Sequence, residues 1–151
     1  MSRSAGITAH SLLRRFPSKL EAADALAQEI RGLLHANGLS AAAFGVELAL
    51  RECLNNAILH GNRRNPARQV ECEVTCGRKW IRVRVRDQGE GFDWRRRRQA
   101  RPSSVTQTSG RGLRILGQYC QRIRYNRRGN QISLWLLRPP ARTKAPATPA
   151  Q

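Results

Sequence analysis

Gln69-Val-Glu-Cys-Glu-Val-Thr-Cys76-Gly77-Arg-Lys-Trp80-Ile-Arg-Val-Arg-Val-Arg86-Asp87-Gln-Gly89-Glu-Gly91-Phe92 is the stretch that decides the fold. Val70, Cys72 and Val74 alternate with Glu71, Glu73 and Thr75; Ile81, Val83 and Val85 then alternate with Trp80, Arg82, Arg84 and Arg86. A period of two is that of a strand buried on one side only. A tight turn at Gly77-Arg78 makes the two runs an antiparallel hairpin. It sets Glu73 opposite Arg82, Glu71 opposite Arg84 and Thr75 opposite Trp80. One face is apolar and the other charged, so helices must cover the apolar face.

The flanking sequence supplies those helices. Residues 7–16 read as a first strand, ended by Pro17. Ser18-Lys-Leu-Glu21 has the spacing of a capping box. The helix behind it carries Leu20, Ala23, Ala27, Ile30 and Leu34 on one face and is stopped by Asn37-Gly38. Ser40 is expected to cap a second helix running to about His60, with Phe44, Leu48, Cys53 and Ala57 facing inward. Beyond the hairpin, residues 93–108 are polar and include Arg95–Arg98. Ser109 to about Tyr119 reads as a short helix, and Arg122–Asn126 with Gln131–Leu137 as a last hairpin. The expected architecture is α+β, a two-layer α/β sandwich with a mostly antiparallel sheet and helices on one face. Residues 1–137 form the domain; residues 138–151, basic and proline-rich, form a disordered tail.

A chain of 151 residues fits one domain. No apolar run approaches the roughly 18 residues of a membrane span, and the N-terminus lacks the apolar core of a signal peptide. A cytoplasmic protein with no membrane partner is expected. Cys53, Cys72, Cys76 and Cys120 show neither Cys-x-x-Cys nor zinc-finger spacing and read as free thiols. The net charge of +18 is concentrated: residues 78–128 hold 16 of the 28 basic side chains against 3 acidic ones. Such a field favours acidic partners, nucleotides among them. No nucleic-acid reader motif accompanies it, so specific nucleic-acid binding is not expected.

Three segments carry chemistry. Glu52 and Asn56 lie one helical turn apart and share a face. An Asn carboxamide oxygen suits Mg²⁺, and a Glu one turn earlier can accept a proton from an attacking hydroxyl or water. The plainer alternative pairs Glu52 with Arg51 or Arg31. Asp87 leaves a buried strand just before Gly89 and Gly91, where its carboxylate can accept from an adenine amino group. Gly110-Arg111-Gly112-Leu113 at a helix start offers free N–H groups to phosphates.

In this order the segments resemble the asparagine box and two glycine boxes of the ATPase superfamily shared by gyrase and histidine kinases. The ending Asn56-Ala-Ile-Leu-His60-Gly61 and the small size are similar to the bacterial anti-sigma factor serine/threonine kinases of the partner-switching type. The resemblance spans roughly residues 10–137. It implies a Bergerat ATP-binding fold using ATP and Mg²⁺, with Glu52 as catalytic base and Asn56 as metal ligand. It further implies Asp87, Gly89 and Gly91 at the base, and Gly110, Arg111, Gly112 and Leu113 at the phosphates. The implied partners are an anti-sigma-factor antagonist of STAS type and a sigma factor, with a homodimer possible. Two other readings stand beside it: a module that binds ATP and a regulator without catalysis, and a basic nucleic-acid-binding protein. The arginine run 95–98 between the glycine boxes is compatible with a phosphate clamp, a docking site for an acidic protein, or a solvated charge run.

Overall fold

The computed structural model describes residues 10–99 and 107–140. In chain order these form β1 (His10–Pro17), α1 (Leu20–Ala36), α2 (Ser40–Asn56), β2 (Gln69–Cys76), β3 (Trp80–Arg86), α3 (Trp94–Gln99), α4 (Gln107–Tyr119), β4 (Arg122–Tyr125) and β5 (Gln131–Leu137). The strands make one sheet in the order β1-β2-β3-β5-β4, with every neighbouring pair antiparallel. Val70, Cys72, Val74, Ile81, Val83, Val85, Leu134 and Leu136 are buried on one face of it and share a core with Ile30, Leu34, Leu50 and Leu54 of the helices. The expected α+β sandwich is therefore present. Residues 1–9 and 141–151, which include most of the proposed tail, lie outside the described residues.

The hairpin register differs from the expected one by two residues. Glu73 faces Arg84, Glu71 faces Arg86 and Thr75 faces Arg82. The cause is the turn: the Gly77 N–H donates to the Trp80 carbonyl at 2.9 Å, so Arg78-Lys79, not Gly77-Arg78, forms the loop. A slip of two keeps every side chain on its face. The charge pairing survives through Arg84–Glu73 at 2.9 Å and the diagonal Arg82–Glu73 at 3.4 Å.

Both helix starts also depart from expectation. The capping box does not form: Lys19 is the N-cap and makes no side-chain cap bond. The Ser18 hydroxyl donates instead to the Arg68 carbonyl at 2.8 Å and accepts from Asn62 at 2.7 Å. Leu39, not Ser40, is the N-cap of α2, and the Ser40 hydroxyl pairs with His35 Nδ1 at 2.8 Å. Asn37-Gly38 does end α1, with Gly38 at φ +71° and the Leu39 N–H returned to the Leu34 carbonyl at 2.8 Å. The inward face of α2 is Ala43, Val46, Leu50, Cys53 and Leu54; Leu48 is half-buried and Phe44 points out.

After Asn56 the helix widens into a π-helical turn, Ala57–Gly61, closed by the Asn62 N–H on the Ala57 carbonyl at 2.7 Å. Such widened turns recur at functional sites. Arg63 and Arg64 follow at φ +52° and +57°. Two successive non-glycine residues in the left-handed region cost about 1 kcal/mol or more each. They follow directly on Asn62, which is fully buried.

Candidate functional site

Between the C-terminal half of α2, the loop after β3 and the β4–β5 turn lies a cavity of about 610 Å³, within the usual range for small-molecule sites. Cys53, Ala57, Val85, Leu116 and Ile132 give it apolar walls, while Asn56, His60, Asp87 and Asn130 bring polar groups to it. Its mouth carries aromatic rings: Phe92 meets Tyr125 edge-on at 5.2 Å, and Trp94 stacks on Tyr125 at 5.9 Å.

Asp87 is the anchored carboxylate of the cavity. Its Oδ1 accepts from the Gly89 N–H at 2.8 Å. The carboxylate lies so close over Gly61 that a Cβ there would overlap it, and a Cβ on Gly89 would strike the Gly61 carbonyl. Burial raises the Asp87 pKa, with the Gly89 N–H, Arg128 and Arg68 offsetting part of the rise. The folded chain therefore holds this proton more tightly than the unfolded chain. Asp87's contribution to stability is full below the unfolded value of about 3.9 and is lost as pH rises through the folded value.

The loop that holds Asp87 is itself held from far along the chain. The Asp87 N–H donates to the Asn130 carbonyl at 3.0 Å, and Asn130 Nδ2 donates to the Asp87 carbonyl at 3.1 Å. Gly91, at φ +82°, lies against the Arg128 carbonyl, and Gly129, at φ +81°, lies against the Phe92 carbonyl. Each glycine leaves room for the other loop's backbone. Asn126 fixes the β4–β5 turn by accepting on one Oδ1 from the N–H groups of Gly129, Asn130 and Gln131 at 2.8, 3.1 and 3.2 Å.

Glu52 stands one turn outside the cavity lining. Asn56 Nδ2 donates to its Oε1 at 3.3 Å, and the same oxygen lies against Gly112 of α4, where a Cβ would overlap it. The neighbouring arginines do not claim Glu52. Arg51 pairs with Glu47 at 3.1 Å and with Asp24, and Arg31 pairs with Glu47 at 3.6 Å. The alternative of a Glu52 bridge to Arg51 or Arg31 is thereby set aside. Gly110 and Gly112 sit inside α4, which begins at Gln107, three residues before the first of them. The free N–H groups of that helix start thus belong to residues 107–110, and Gly112 serves instead as the close-contact point for Glu52. The side chains of Arg111 and Leu113 lie outside the described residues, as do those of Arg97 and Arg98. Arg95 and Arg96 are exposed, with the Arg95 guanidinium 4.7 Å over the Trp94 ring.

Residues 16–136 match the family model for the histidine kinase-like ATPase domain. The chain belongs to that family. No curated protein matches the chain. An ATPase domain implies ATP binding; of the residues expected at the nucleotide, Asn56, Asp87 and Gly91 line the cavity, while Gly110 and Gly112 are not among its lining. Gly89 is buried beneath it. A magnesium ion fits the Asn56 position: the amide nitrogen is engaged by Glu52, which leaves the oxygen for a cation that needs only one or two protein ligands beside phosphates. Among the described residues no group of three or more His, Cys, Asp or Glu is placed to hold a metal ion.

Sequence reasoning missed the asparagines. Asn62 is fully buried; it donates to Ser18 Oγ at 2.7 Å and the Gln69 carbonyl at 2.9 Å, and accepts from the Gln88 N–H at 2.8 Å. It thereby joins β1, β2 and the Asp87 loop. Asn62→Ala is expected to lower stability by about 2 kcal/mol, readable as a lower urea midpoint with an unchanged slope. The cysteines behave as read. All four are free, and burial pushes Cys72 up to about 12 and Cys120 up to about 11, so both stay neutral thiols. Among the described residues no helix is long and apolar enough to cross a membrane.

Proposed function

We propose that this chain is an ATP-dependent serine/threonine protein kinase of the partner-switching kind. It phosphorylates a Ser or Thr of a STAS-type anti-sigma-factor antagonist in the cytoplasm and so governs the availability of a sigma factor. The observation that carries the reading is Glu52: a carboxylate with no arginine partner among the described residues, one turn before Asn56 and pressed against Gly112 beside the cavity. In this reading Asp87 accepts from the amino group of the base, and the apolar walls take its ring. Asn56 would hold Mg²⁺, which when bound neutralises charge on the phosphates. Glu52 takes the proton of the incoming hydroxyl as its oxygen bonds to the γ-phosphorus of ATP and the bond from that phosphorus to the β–γ bridging oxygen breaks, releasing ADP. Gly112 keeps the carboxylate in place by leaving it room.

Incubating the protein with radiolabelled ATP and purified STAS-type antagonists tests the proposal. Label on a serine or threonine of the antagonist supports it; ATP binding with no transfer to any antagonist replaces it with the non-catalytic module. Gly112→Ala provides a geometric check. Its added methyl displaces the Glu52 carboxylate, and a shift of about 1 Å can cost on the order of a hundredfold in rate. Transfer is expected to fall about tenfold to a hundredfold while ATP affinity stays within about threefold. Normal transfer by that variant would show that the close contact has no bearing on the chemistry.

A further inference from the structure

Phe44 is 67% exposed, more than any other large apolar side chain among the described residues. Its neighbours make the exposure informative. Phe44, Leu48, Glu52 and Asn56 follow one another at intervals of four, so they form a single ridge along α2 that runs into the cavity lining at Asn56. α4 flanks this ridge. At one end Gly112 touches Glu52; at the other, the Tyr119 ring lies 2.7 Å from the Cβ position of Gly45 and meets Phe44 edge-on at 6.0 Å. The two contacts are equally spaced on both helices, from 45 to 52 and from 119 to 112, so α2 and α4 run antiparallel and side by side.

We infer that this Phe44–Leu48 ridge, backed by Tyr119, is the docking surface for the protein segment that carries the phosphoacceptor hydroxyl. The inference rests on the kinase reading above and adds to it a rule for substrate choice. Phe44 and Glu52 are eight helical residues apart, about 12 Å. An extended segment covers that distance in about four residues, and residues four apart on an extended chain face the same way. A leucine or an aromatic residue four positions from the serine or threonine can therefore sit on Phe44 while the hydroxyl reaches Glu52. Continuity with the Glu52–Asn56 pair favours a substrate segment as occupant, because a group bound along the ridge ends at the carboxylate.

A panel of synthetic peptides tests this, each with one serine and one leucine or phenylalanine at a different offset on either side. The readouts are peptide binding in the presence of a non-hydrolysable ATP analogue and phosphate transfer from radiolabelled ATP, both with the full chain. Peptides with an offset of four are expected to be phosphorylated about tenfold better in kcat/KM than those with other offsets or with alanine, the size of one well-placed apolar anchor. Phe44→Ser is expected to reduce that advantage to within about twofold while leaving the rate on anchorless peptides unchanged. Leu33→Ser, at another exposed apolar residue, on α1 (41% exposed), is expected to change nothing. Transfer without offset preference, or a preference that survives Phe44→Ser, overturns the docking surface and leaves the kinase reading standing. Neither binding nor transfer with any peptide, while a purified STAS-type antagonist is still phosphorylated, overturns the docking surface alone; no transfer to peptide or antagonist, while ATP still binds, overturns both. Sedimentation of the same proteins closes the remaining route: a dimer that dissociates on Phe44→Ser would make the ridge a self-association surface and overturn the inference.

Discussion

Glu52→Gln is expected to abolish phosphoryl transfer while ATP still binds. The substitution keeps the length and shape of the side chain, and its carboxamide oxygen can still accept from Asn56 Nδ2, as Oε1 does at 3.3 Å. What it loses is the capacity to take a proton. A positioned general base is worth about 10²–10⁴ in rate, so transfer should fall at least a hundredfold. Affinity for a fluorescent ATP analogue should stay within about threefold, because Glu52 lies outside the cavity lining. Unchanged transfer removes Glu52 from the chemistry. Loss of binding as well would instead make it part of the scaffold on which α4 rests.

Asp87→Asn is expected to produce the opposite pattern, a protein that folds well and binds ATP poorly. The Gly89 N–H already donates to one Asp87 oxygen at 2.8 Å. In the variant the carboxamide oxygen must keep that bond, which turns an NH₂ group toward the ligand. An adenine amino group is also a donor, so an attraction becomes a clash of like dipoles. Losing a charge-assisted bond and leaving a donor unmet costs about 3 kcal/mol, or roughly a hundredfold in affinity. Removing a carboxylate that burial already disfavours should leave the unliganded protein at least as stable at neutral pH. Calorimetric titration with ATP beside a thermal melt separates the two effects. Wild-type affinity would place the base elsewhere in the cavity.

How much of this was legible in the sequence depended on the range of the interaction involved. The period-two runs over 70–85 gave the strands and their buried face because alternation is a local property that the pleat reads directly. The register slipped by two, since any two-residue loop among Gly77, Arg78 and Lys79 satisfies the same pattern and only the Gly77–Trp80 bond chooses between them. Ser18 looked like a cap until Arg68 and Asn62, distant in the chain, offered its hydroxyl better partners. Phe44 looked buried because it is apolar and falls on the row of Leu48, while the core takes Ala43 and Val46 beside it. Of the candidate residues, Glu52, Asn56 and Asp87 stand out in the sequence by spacing and by resemblance to the family. Asn62, Asn126 and Asn130 were not, since an asparagine that ties two loops together has no local signature.

The clasp between the Asp87 loop and the β4–β5 turn has a consequence for how the chain comes into being. Every contact that fixes the floor of the cavity from that side is made by residues 126–130. These are synthesised about forty residues after Asp87 and belong to a hairpin whose β5 must insert between β3 and β4. A chain that ends at α4 lacks every one of these contacts. Nucleotide affinity is therefore expected only once the last strand has entered the sheet, and a chain truncated before β5 is expected to bind no ATP in a calorimetric titration.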